Sequence, residues 1–182
     1  MFEVDSYLWS LAAILAAGTL TWVISLKRAD VSIVDSLWSL MFLLAALVYL
    51  VTAAAPGERA ILVTLLVAVW ALRLAAYITW RNWGEGEDAR YRAIRARNEP
   101  GFAFKSLYLV FALQGIIAWV IALPLLAVIH STAPLNAIDY LGVALWMVGM
   151  VFEAVGDWQL ARFKANPDNR GRAVSYTHLT LP

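Results

Sequence analysis

AILVTLLVAVWALRLAAYITW, residues 60–80, decides the fold. An apolar stretch of roughly 20 residues crosses a bilayer as a helix, and this one holds a single charge, Arg73. Trp70, Arg73, Tyr77 and Arg81 follow three- and four-residue steps, so they share one helix face. Arg73 lies two turns from Arg81, roughly 12 Å at 1.5 Å per residue, which is long for snorkelling to an interface. The spacing therefore points Arg73 and its aromatic neighbours toward a bundle interior.

Four comparable stretches surround it, at about residues 7–26, 33–54, 106–129 and 139–160. The first is too long, and too acidic at its start (Glu3, Asp5), for a cleaved signal peptide. The fourth contains Gln114 and Pro124. The expectation is an all-α polytopic bundle of five spans forming one transmembrane domain over residues 1–173. Composition agrees: of 182 residues, 62% are hydrophobic and 15% charged, too apolar for an ordinary soluble domain. A net charge of +1 gives no reason to expect a nucleic-acid partner. Without cysteine there are no disulfides or thiolate metal sites, and two histidines make no metal cluster.

All Lys and Arg except Arg59 and Arg73 fall in the first and third loops or after the fifth span. The positive-inside rule then places the N-terminus outside and these segments in the cytoplasm, as for a bacterial inner-membrane protein. The third loop runs RNWGEGEDARYRAIRARNEPGF, residues 81–102. It reads either as a surface helix with acids at its start and arginines against anionic headgroups, or as a cap in which Glu87, Asp88, Arg90 and Tyr91 close a pocket. Asp35 opens the second span, where it either caps the helix or serves a site. Gly142, Trp146, Gly149, Glu153, Gly156 and Asp157 follow three- and four-residue steps along the fifth span, extending a small-residue packing face into two acids. A cytoplasm-facing polar pocket among spans two, three and five would account for Asp35, Arg73, Glu153 and Asp157 together.

VDSLW (34–38), W-x-x-R-L (70–74), R-N-W-G-E-G-E-D-x-R-Y (81–91), Phe111 with Gln114-Gly115, and G-M-x-x-E-x-x-x-D-x-Q-L-x-x-F-K (149–164) carry a resemblance. Over roughly residues 27–173 the chain looks like a bacterial membrane family of undefined function, related to the steroid 5α-reductase C-terminal domain. The relationship implies six or seven spans and a cytoplasm-facing NADPH site. It puts Glu153 at the Asn, Asp157 at the Asp and Lys164 at the Arg of the cofactor-contacting pattern. Asp35 falls near the substrate-binding Glu. Trp70 stands where the proton-donating Tyr would be, which argues against a steroid enone as substrate. The implied reaction is hydride transfer to a polarised double bond of a membrane lipid or lipid-like substrate, followed by protonation, with Asp35, Arg73, Tyr77 and Tyr91 as candidates for polarising or protonating it. An S-adenosylmethionine-dependent methyltransferase of the isoprenylcysteine type and a non-enzymatic membrane protein remain alternatives. Residues 174–182 resemble a translated sequencing adapter. They stand where such families continue into a Leu-Trp-x-x-x-Arg-His-Pro-Asn-Tyr block that completes the cofactor site, so a truncated and inactive chain is expected.

Overall fold

The computed structural model describes residues 3–169 and divides the chain into two compact units, Met1–Pro134 and Leu135–Pro182. The stretch 174–182, with the expectation attached to it, lies outside the described residues. In the first unit the helices are α1 (Val4–Arg28), α2 (Ile33–Thr52), α3 (Glu58–Arg81), α4 (Ala89–Asn98), α5 (Phe102–Ser106), α6 (Leu113–Ile121) and α7 (Leu123–Ile129), with a π-helical segment, Leu107–Ala112, joining α5 to α6. The second unit contains α8 (Ala137–Ala165) and a 3₁₀ turn, Pro167–Asn169. α1, α2, α3, Phe102–Ile121 and α8 are each long and apolar enough to cross a membrane. The protein is an all-α integral membrane protein.

Two boundaries depart from the hydropathy reading, each for a local reason. The fourth span begins at Phe102 and breaks at Ala122. Pro124 enters the first turn of α7, where its missing N–H costs nothing, whereas within a continuous helix it would remove a bond to Val120. α8 starts at Ala137, two residues ahead of Asp139. The Asn136 side chain accepts from the Ile138 amide at 2.8 Å, and Asp139 accepts from the Asn136 amide at 2.8 Å. This reciprocal cap satisfies N–H groups that would otherwise be orphaned at the helix start.

The first unit packs α2 between α1 and α3. Ile14, Met41, Ala45, Tyr49, Ala118 and Ile129 lie in its main core. Between apolar helices in lipid, close approach and a few polar links replace the hydrophobic drive. Ser10 donates to the Tyr49 hydroxyl at 3.0 Å, and Ser39 donates to the Ala71 carbonyl at 2.9 Å. Gly115 is the closest crossing: a Cβ there would stand 3.1 Å from Ile14 Cγ2. Trp119 stacks on Tyr7 with centroids 4.0 Å apart and donates to the Tyr7 carbonyl at 2.8 Å. Arg59, at the start of α3, donates to Ser131 Oγ and the Pro134 carbonyl, which pins the segment after α7.

Candidate functional site

The short turn between α1 and α2 nucleates the polar end of the first unit. Asp30 Oδ1 accepts from the Ser32 amide at 2.8 Å and also from the Ser32 hydroxyl. Two residues of the third loop grip this turn. Glu87 accepts from the Val31 amide at 3.1 Å, and the Asp88 amide donates to Ser32 Oγ at 3.2 Å. Arg95 closes a fork on the Glu87 carboxylate, at 2.9 Å from Nε and 2.7 Å from Nη2. The Glu87 side chain is only 8% exposed. Burial works to raise its pKa, but the Arg95 fork and the Val31 amide outweigh that and hold it below the ordinary carboxylate value.

Asp88 then starts α4 by accepting from the Arg90 amide at 2.8 Å. Its pKa is also lowered, first by the Arg90 side chain that bonds it at 3.0 Å. This cap fixes the rotation of α4, so Tyr91 turns inward beside Val31, Val34, Phe102, Val110 and Phe111. α4 is no freestanding surface helix: its Tyr91 belongs to a buried cluster and its acids are tied to the α1–α2 turn.

Asp35, in the first turn of α2, meets that helix. Its Oδ1 accepts from the Tyr91 hydroxyl at 2.5 Å and its Oδ2 from Arg90 Nη2 at 2.8 Å. Gln114 Nε2 donates to the Tyr91 oxygen at 3.1 Å. The π-helical segment that widens the fourth span ends just before this glutamine, and such insertions often occur at functional positions. Burial, followed by the hydrogen bond to Asp35, raises the Tyr91 pKa well above its ordinary value. Tyr91 is therefore a protonated phenol at neutral pH, 6% exposed. Arg90, 67% exposed, connects Asp35 to the aqueous side.

Of the candidates read from sequence, the structure thus joins Asp35 and Tyr91. Arg73 and Tyr77 lie deeper on α3, both half-buried. Trp70, on the same face, packs edge-on against Phe42 of α2 at 5.7 Å, and Arg81 lies over the Tyr77 ring at 5.9 Å. Glu153, Asp157 and Lys164 sit on α8 in the second unit, at spacings of one and two turns that share a face. Beside them Arg162 stacks on Trp158 at 4.8 Å. Gln114 was visible as a polar residue in an apolar span, the one signal that could have assigned it to the network.

The profile of a family described as a protein of unknown function (DUF1295) matches residues 21–178. The chain belongs to this family. No curated protein and no solved structure matches it. The family match runs from α1 through α8 and so includes every residue of the Asp35–Tyr91–Gln114 network.

Proposed function

We propose that the protein is an NADPH-dependent reductase of the inner membrane, acting on a polarised carbon–carbon double bond of a lipid. The resemblance of the sequence motifs to steroid 5α-reductases motivates the reaction class. The observation that carries the reading is the 2.5 Å hydrogen bond from the buried Tyr91 hydroxyl to Asp35. A double-bond reduction needs one proton on carbon, and a phenol paired with a carboxylate can hold and pass on that proton. Asp35 takes a proton from water at its Arg90 side. Once Asp35 is protonated, the Tyr91 hydroxyl is released from the carboxylate and would give its proton to the substrate carbon, then recover one from Asp35, while Gln114 keeps the phenol oxygen oriented. Arg73 and Tyr77, half-buried further along α3, would polarise the substrate. Bound NADPH supplies the hydride that completes the addition of two hydrogens.

The α8 residues fit such a cofactor by their chemistry. Glu153 and Asp157 would accept from ribose hydroxyls or a carboxamide, and Lys164 would meet a phosphate. The test titrates the protein in nanodiscs with NADPH, NADH and S-adenosylmethionine while following thermal unfolding. NADPH is expected to raise Tm, and Asp157→Ala with Lys164→Ala to remove the effect. Stabilisation by S-adenosylmethionine alone would transfer the reading to a methyltransferase. In the protein supplied with membrane lipid extract, Tyr91→Phe is expected to abolish NADPH consumption while leaving NADPH binding intact.

A further inference from the structure

A cleft of about 260 Å³ opens beside the Asp35–Tyr91 network, at the end of the first unit where α1 turns into α2. Arg28, Asp30 and Ser36 line one side, and Thr79 and Asn82, at the end of α3, line the other. Trp83 closes the rim, followed by Gly84 and Gly86, whose positive φ values of 82° and 71° make the turn that only glycine adopts without strain. The hydrogen bonds already present determine what the wall can still offer. Thr79 spends its hydroxyl hydrogen on Ser36 at 3.0 Å, and Asn82 spends its oxygen on Arg81 at 3.1 Å. The Asn82 amide nitrogen and the Arg28 guanidinium remain as donors, with no hydrogen bond or ion pair among the described residues. Asp30 engages Ser32 through Oδ1, which leaves Oδ2 able to accept and a negative charge in the cleft wall, near enough to Arg95 to interact with it. One cation, one anion and neutral donors complement a ligand that is itself zwitterionic.

A second, apolar depression of about 480 Å³ shares Thr79 and Trp83 with this cleft. It runs between α2 and α3 over Leu40, Leu72, Ala75 and Ala76. The two alanines form its floor because they fill so little of the interhelical space. Leu72 stands nine residues up α3 from Arg81, roughly 13 Å at 1.5 Å per residue. That is close to the half-thickness of a hydrocarbon core about 30 Å deep. The exposed Trp80 and Trp83 stand at its polar end, where aromatic residues mark the membrane interface. A polar cleft at headgroup depth, continuous with an apolar channel one leaflet long, has the shape and polarity of a single phospholipid.

We infer that the cleft and groove together form a binding site for a zwitterionic phospholipid with a primary ammonium head. Its phosphate lies on Arg28 and Asn82, its ammonium on Asp30, and one acyl chain lies along the α2–α3 groove. The site belongs wholly to the first unit and depends on neither cofactor nor turnover.

Native mass spectrometry of the delipidated protein, titrated separately with phosphatidylethanolamine, phosphatidylcholine and phosphatidylglycerol, tests it. Phosphatidylethanolamine is expected to bind tightest. Arg28→Gln should weaken it on the order of tenfold, as loss of a charge-assisted hydrogen bond does. Asp30→Asn, which keeps the acceptor for Ser32, should erase the preference over phosphatidylcholine, whose ammonium has no N–H. Ala76→Phe fills the groove from its exposed side and should weaken all three lipids, with circular dichroism confirming an unchanged helix content. Preference for phosphatidylglycerol would overturn the zwitterionic assignment. Unchanged binding by Ala76→Phe, or equal competition by soluble phosphoethanolamine, would overturn the lipid assignment by showing a headgroup pocket alone.

Discussion

The Tyr91 hydroxyl and the Asp35 carboxylate meet at 2.5 Å although 56 positions separate them in the chain. The bond ties a helix of the third loop to the first turn of the second span. It leaves Asp35 16% exposed and shared between Tyr91 and Arg90. The two partners differ in what they contribute. The Arg90 pair is largely in water, where ion pairs are worth about 0–1 kcal/mol. The Tyr91 bond is buried, and removing its acceptor strands a phenol and disturbs the Gln114 amide behind it.

That difference predicts an asymmetry. Asp35→Ala is expected to destabilise the first unit by about 2 kcal/mol, the cost of stranding a buried polar group. Arg90→Ala should cost less than about 1 kcal/mol. Thermal unfolding of both variants in the same detergent measures it. Equal losses would mean that the exposed ion pair, not the phenol, holds α4.

A second expectation concerns pH. Glu87 has an ordinary value of 4.5 and is lowered in the folded protein, as is Asp88 from 3.8. A carboxylate lowered by folding contributes stability above its unfolded pKa, and that contribution is lost as the pH falls through the folded value. The grip on the α1–α2 turn should therefore hold at neutral pH and loosen progressively below about pH 4.5. The chain has no cysteine, so a spin label at Ala93→Cys reports α4 alone. Its mobility should rise on acidification, and Glu87→Gln should raise it already at pH 7. A label equally immobile at pH 7 and pH 3 would contradict this.

The α1–α6 crossing supplies a third. Gly115→Ala places a methyl 3.1 Å from Ile14 Cγ2, and Ile14 is fully buried and cannot step aside freely. The gain in helix propensity, about 1 kcal/mol over glycine, should be largely cancelled by that contact. Gly115→Leu gains nearly the same propensity but has a far larger side chain to fit at the crossing, and should still cost about 3 kcal/mol, as overpacking of a tight core does. Chemical or thermal unfolding of the two variants separates them, and a well-tolerated leucine would show that the crossing is loose.

The proposed orientation gives a fourth. Ala55, between α2 and α3, should face outward, and Ala93, on α4, the cytoplasm. In the cysteine-free background, a membrane-impermeant maleimide added to intact cells should label Ala55→Cys but reach Ala93→Cys only after permeabilisation. Labelling of Ala93→Cys from outside would invert the topology.

The five spans were legible in the sequence because the cost of placing a helix in lipid is a sum over adjacent residues. A window over residues 60–80 contains nearly everything needed to place α3. Local chemistry also gave the helix starts in outline, with errors of a few residues where Asn136 and Pro124 act. The site divides differently. Asp35 and Tyr91 were each suspected from residue type and motif, yet the third loop read slightly better as a lipid-facing surface helix. Its arginines and its one tyrosine permit both, and only the rotation of α4 about its axis determines that Tyr91 is the side chain it buries. That rotation is set by the Asp88 cap and by the Glu87–Val31 and Asp88–Ser32 bonds to a turn far away in the chain. Gln114 reaches the pair through a span whose π-helical segment alters the face it presents, a change no regular period contains. Hydropathy is local and additive, so the sequence by itself determined which segments enter the membrane. Contact between side chains depends on how separate helices turn toward one another, so only the tertiary structure brought Asp35, Tyr91 and Gln114 into one network.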